Sequence, residues 1–129
     1  MASSELVWQL IRGNNSFLKK GLNNTFFSAE PGNLTSKHSY KFSGIANSAN
    51  VDLTTDKDNA IVLKKGKSSF KSKKGRSKKA ITVFKKDSRR VMKGVTKEVS
   101  GYRSDLADVA IKRVSALAKS ARVIKAASK

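Results

Sequence analysis

The chain has 129 residues, a formal net charge of +19, no cysteine and a single histidine, His38. Disulfides, thiolate metal sites and cysteine nucleophiles are excluded, and a zinc site would have to gather carboxylates around one imidazole. No stretch approaches the ~18 apolar residues needed to cross a membrane, and the apolar run from Leu6 to Ile11 is too short for a signal core, so an intracellular protein is expected. Three sequons, at Asn14, Asn23 and Asn33, are then chance matches. This length predicts one domain over 1–129 with a small core.

In chain order, Ser3-Ser4-Glu5 opens a helix near 4–12, with a stripe of Leu6, Val7, Leu10 and Ile11 and Gly13 as a stop. Strands near 16–20 and 25–28 flank Gly21-Leu22-Asn23-Asn24, which has hairpin-turn chemistry. Pro31-Gly32-Asn33 is a second turn. Alternation from His38 to Ile45, with Tyr40 and Phe42 on one face, predicts a further strand. Val51 to Leu53 is a candidate short strand, and Asp56-Lys57-Asp58-Asn59 a polar turn. Strands near 60–65 and 80–86 follow. Phe17, Phe26, Phe27, Tyr40, Phe42 and Phe84 fall in strand patterns and are assigned to the core.

Asp87 or Ser88 caps a helix near 88–100 with Val91, Met92, Val95 and Val99 inward and Gly101 as terminator. Ser104 caps another near 104–120. Its inward face carries Leu106, Val109, Ala110, Val114, Leu117, Ala121 and Ile124, and its outer face carries Asp108, Lys112, Ser115, Lys119 and Arg122. The expected fold class is α+β, one small antiparallel sheet covered by three helices, with a basic loop.

Charge separates the two halves. Residues 1–62 carry a net +1 and residues 63–129 a net +18. The segment 64–79 has nine basic residues in sixteen and no acid, with serine and glycine between them. It has too little apolar surface to pack a core and is read as a hairpin tip or disordered loop. Such a block repels itself unless a polyanion lies against it. The candidate RNA contacts there are Lys64, Lys65, Lys67, Lys71, Lys73, Lys74, Arg76, Lys78 and Lys79. Phe70, isolated among them, either stacks on an unpaired base or plugs a neighbouring protein. The same core of lysines suits a nuclear import signal.

Lys85, Lys86, Arg89, Arg90 and Lys93 form a second basic group, with Arg89 and Lys93 one turn apart. Arg103 and Arg113 are further candidates, and Lys37 and His38 possible additional contacts. A triad of His38, a serine and Glu30 lacks any nucleophile elbow, and no P-loop or Gly-x-Gly-x-x-Gly is present. No catalytic residue, metal ligand or cofactor is assigned.

The ordered set of motifs resembles the eukaryote-specific large-subunit ribosomal protein twenty-eight family. It comprises Ser4-Glu5-Leu6-Val7-Trp8-Gln9-Leu10-Ile11-Arg12, Asn15-Ser16-Phe17-Leu18-Lys19-Lys20, Phe27-Ser28-Ala29-Glu30-Pro31-Gly32-Asn33-Leu34 and His38-Ser39-Tyr40-Lys41-Phe42-Ser43-Gly44. Tyr102-Arg103-Ser104-Asp105-Leu106 and Ala110-Ile111-Lys112-Arg113-Val114-Ser115 complete it. The basic stretch 64–79 and the tail after Arg122 match least. The resemblance implies a structural constituent of the large cytoplasmic subunit that binds ribosomal RNA and does no chemistry. Neighbouring ribosomal proteins would be its other partners, with no membrane and no small-molecule substrate. It also implies transit through nucleus and nucleolus. The alternatives are a basic chromatin or general nucleic-acid-binding protein, which the charge would also suit, or a short ribosome-assembly factor, since the resemblance extends to processing factors that share this domain.

Overall fold

A computed structural model of the chain describes residues 3–56, 58–66 and 79–127. Three helices and two small antiparallel sheets make an α+β fold. The secondary elements divide between two compact units, one drawn from 1–52 and 65–80, the other from 53–64 and 81–129.

In the first unit, α1 (Ser4–Arg12) is capped by the Ser3 hydroxyl, which accepts from the Leu6 amide at 3.2 Å. At its other end Asn15 donates from Nδ2 to the Ile11 carbonyl at 3.1 Å, satisfying a group the helix leaves unpaired. The expected apolar stripe is rotated. Leu6 and Leu10 are exposed, Leu10 at 74%, while Val7, Trp8 and Ile11 turn inward. Contacts with residues 38–40 decide this: Ser4 Oγ and Tyr40 Oη hydrogen-bond at 2.8 Å, and the Trp8 ring packs on the His38 ring, 4.9 Å centroid to centroid.

The hairpin forms as its sequence predicts. β1 (Leu18–Lys20) and β2 (Phe26–Ser28) pair antiparallel with Lys19 opposite Phe27, through a 3-10 turn at Leu22–Asn24. Asn23 and Asn24 take left-handed φ values of 54° and 55°, which asparagine tolerates well. Gly21 is needed for another reason: its α-carbon faces the Phe27 ring, and a Cβ there would lie 2.7 Å from the ring's Cε2. Phe17, Phe26 and Phe27, assigned to the core on their pattern, are instead part-exposed.

The strand expected at 38–45 does not form. One antiparallel bridge joins Phe27 to Lys37, and Tyr40–Phe42 is a 3-10 helix. Local polar bonds outcompete the alternation. The Ser43 amide donates to the Ser39 and Tyr40 carbonyls, and Asn47 Nδ2 donates to the carbonyls of Tyr40 and Ser43. Beneath them lies Glu30, 6% exposed. Its carboxylate accepts from Asn33 Nδ2 at 3.2 Å, Ser43 Oγ at 2.9 Å and the Ile45 amide at 3.3 Å. Among the described residues no cation pairs with it. Gly32 permits the turn between Glu30 and Asn33 through its φ of 87°, and the α-carbon of Gly44 packs against the Pro31 carbonyl, where any side chain would collide.

The second sheet contains β3 (Asn50–Thr55), β4 (Ile61–Gly66) and β5 (Lys79–Phe84), with β4 central. The sheet expected as one is thus two, because the 38–45 segment that would have bridged them coils instead. Val51 and Leu53 are buried in alternation with Asp52 and Thr54, whereas Ile61, Val62 and Leu63 are all buried, as a central strand requires. Each strand changes unit partway along, at 52/53, 64/65 and 80/81.

In the second unit, α2 (Ser88–Ser100) matches its expected span. Asp87 accepts from the Arg89 amide as the cap, and Val91, Val95 and Val99 are buried at four-residue spacing. A 3-10 turn at Ser104–Leu106, without the side-chain cap expected from Ser104, leads into α3 (Ala107–Ala127). The two helices pack through the valines of α2 and Leu106, Ala110 and Val114. Beyond Val114 the expected inward face opens: Leu117 and Ala121 are half-buried and Ile124 is 62% exposed. Neither long helix is apolar enough to cross a membrane.

Two stability measurements follow. Val95→Ala should cost about 1.5–3 kcal/mol in urea unfolding, and Ile124→Ala less than about 0.5 kcal/mol, since only the former empties packed space. Glu30→Gln should cost about 1–3 kcal/mol, because an amide has one accepting oxygen, so its NH2 must face the donors either at Oε1, from Asn33, or at Oε2, from Ser43 and Ile45. A neutral Glu30→Gln result would mean those donors find other partners.

Candidate nucleic-acid interface

The described cations concentrate on α2 and the residues just before it. On a helix two residues subtend about 200°, so Arg89, Lys93 and Lys97 point away from Val91, Val95 and Val99. They form a ridge with a cation every turn, about 6 Å apart along the axis. Lys85, Lys86 and Arg90 flank its start, and all six side chains are exposed. Among the described residues none of the six makes an ion pair. Asp87, the acid within this group, is turned to the Arg89 amide.

Other predicted contacts are placed differently. Lys64 and Lys65 are half-buried on β4, and Lys65 has an internal partner. Arg113 is half-buried on α3. Arg103 donates to Asp105 through Nε at 3.2 Å and Nη2 at 2.7 Å, and its side chain is 16% exposed, so its fork is committed internally. Lys37 is exposed beside β2. The His38 Nε2 bonds the Arg12 carbonyl at 2.9 Å, which fixes Nε2 as the donor, while Nδ1 is buried without a partner among the described residues. Between Trp8 and the end of α1, this imidazole helps seat the helix and lies apart from Glu30's hydrogen-bond set. Lys67, Phe70, Lys71, Lys73, Lys74, Arg76 and Lys78 lie outside the described residues, and of Lys79 the backbone alone is described.

The fold also recruits residues the sequence reading left out of the site. Lys97 extends the Arg89–Lys93 stripe, and four-residue spacing from Lys93 was its signal. Arg122 of α3 lines the same recess, about 310 Å³, as Lys85 and Lys86. Nothing in the sequence near Arg122 points to that meeting. Chemically the arrangement is a set of positive charges with exposed heads, suited to binding phosphate.

The model of the ribosomal L28e protein family matches residues 6–120. The chain is 32% identical to the large ribosomal subunit protein eL28 of Schizosaccharomyces pombe, over 93% of each chain. It is 33% identical to the protein of that name from Dictyostelium discoideum, over 98% of this chain and 94% of the relative. With the Caenorhabditis elegans protein of that name the identity is 39%, over 63% of this chain and 60% of the relative. A match running from α1 through most of α3 leaves one conclusion: this chain belongs to the ribosomal L28e protein family.

Proposed function

We propose that the protein is a structural constituent of the large cytoplasmic ribosomal subunit that binds ribosomal RNA through phosphate contacts from its basic C-terminal half. The observation that carries this is the α2 ridge: exposed cations at every turn, opposite a valine-packed face, with no ion-pair partner among the described residues. The relatives' names as large ribosomal subunit proteins support the same assignment. The basic segment 64–79 adds nine charges by composition and belongs to the same surface in this proposal. Arg103 is set aside as a primary contact because Asp105 neutralises it. The protein acts by binding and positioning, with no catalytic step.

Neighbouring ribosomal proteins are the second class of partner. Leu10, Leu22 and Ile81 are large apolar side chains left open to solvent in the isolated chain, and each costs free energy until covered. The reading places the protein in cytoplasmic ribosomes after transit through nucleus and nucleolus. It takes residues 1–129 as one working domain, since neither compact unit is a continuous stretch of chain. Cofractionation with translating polysomes in high salt tests the assignment: a chromatin protein or an assembly factor would be missing from them.

The mode of binding is measurable with purified protein and large-subunit RNA. Five neutralised phosphates give a log–log salt slope of about −3.5 to −4.5, so affinity should fall on the order of a hundredfold between ~50 and ~200 mM salt. Combining Lys85→Gln, Arg89→Gln and Lys93→Gln should make that slope about 2–3 shallower while leaving the unfolding midpoint in place. An unaltered slope would remove the ridge from the interface.

A further inference from the structure

The recess beside Lys85 has a composition the phosphate ridge does not need. Its floor is apolar, made by Ala60, Ile61 and Phe84 with Ala118 and Ala121 of α3. The Phe84 ring lies against α2 at Gly94, where a Cβ would stand 2.9 Å from the ring's Cε1, so one side of the ring is held by helix backbone. Ala118 and Ala121, three residues apart on one face of α3, leave the space a longer side chain would occupy. At about 310 Å³ the volume is near the lower end for small-molecule sites, the size of one nucleotide and too small for an RNA helix.

The walls are of mixed charge. Lys85, Lys86 and Arg122 supply three cations, none paired among the described residues. Asp58 and Asn59 face the same space from the β3–β4 turn. That turn is fixed by the Asp56 amide donating to the Ala60 carbonyl and the Asn59 amide to the Asp56 carbonyl, both at 2.9 Å. A phosphate alone would use the cations and waste the floor. An apolar side chain from a neighbouring protein would use the floor and bury charge without partners. A nucleotide uses both: its base covers Phe84 and the alanines, its exocyclic amine donates to Asp58 or Asn59, and its phosphate meets Lys85, Lys86 and Arg122.

We propose that this recess seats a single unpaired ribosomal nucleotide with an amino-bearing base, extruded from its helix, while the α2 ridge tracks the flanking phosphates. The proposal rests on the ribosomal RNA reading and adds to it a site that recognises an unstacked base.

The test uses the full chain and two RNA hairpins by fluorescence anisotropy, one fully paired and one with a single bulged adenosine. The bulged hairpin should bind about tenfold tighter. Ala121→Leu, and separately Ala118→Leu, should abolish that preference by filling the recess, while affinity for the paired hairpin and its salt slope are retained. Equal binding of the two hairpins by the parent, or a preference that survives both leucine variants, overturns the proposal and leaves the phosphate-binding reading standing. No salt-sensitive binding to either hairpin would overturn both. A leucine variant that keeps the bulge preference but fails to enter large subunits would assign the recess to a protein side chain, which also overturns the proposal.

Discussion

The carboxylate of Glu30 organises the least regular part of the molecule. The segment from Ser28 to Asn47 has few regular backbone ladders, so its polar groups need other partners. Glu30 joins both ends of that segment, holding Asn33 on one oxygen and Ser43 and the Ile45 amide on the other. Asn33 passes the constraint on, donating to the Lys37 carbonyl at 2.8 Å and accepting from the Thr35 amide and hydroxyl. Ser43 does likewise for the Ala46 amide. Burying a carboxylate without a cation is tolerable only when hydrogen bonds replace its water, and here they do. His38 and Tyr40, whose contacts seat α1, lie on the loop this network shapes.

Packing in the second unit follows another logic. The α2–α3 pair is held by branched apolar side chains at regular spacing, a non-directional attraction that asks nothing of the outer surface. That leaves the outer face of α2 free to carry like charges. Like charges along a ridge repel one another, and the valine seam absorbs this in the free protein. The polar, turn-rich chain shapes the first unit, and the apolar seam supports the charged ridge.

Much of this was legible because it is periodic. The valines of α2 at four-residue spacing, the turn residues at Gly21–Asn24 and the continuous apolar run of β4 each suit one backbone geometry. The segment 38–45 also alternates, yet coils, because Ser43 and Asn47 have side-chain partners that alternation does not register. The face of α1 was misjudged for the same reason: Ser4 and Trp8 turn inward to meet Tyr40 and His38, residues more than thirty positions away or nearly so, in place of Leu6 and Leu10. At the candidate site, exposure of Arg89 and Lys93 could be read from helical spacing alone. The commitment of Arg103 to Asp105 and the meeting of Arg122 with Lys85 depend on side-chain direction and on the path of α3, which a linear pattern does not contain.

The three strands that each change unit partway have a bearing on biosynthesis. Neither unit can be completed from an uninterrupted piece of chain, since the first needs residues from 65–80 and the second begins at 53. The α2–α3 hairpin is local and can close as soon as Val114 has left the synthesising ribosome. The sheet must wait for β5, at 79–84, to find β4 across the basic stretch between them. That closure brings two lysine-rich strand ends together in a chain already carrying excess positive charge, so its rate should depend on the anions around it. Under the proposed function, RNA would then act on this chain as a counterion during folding as well as a ligand afterwards.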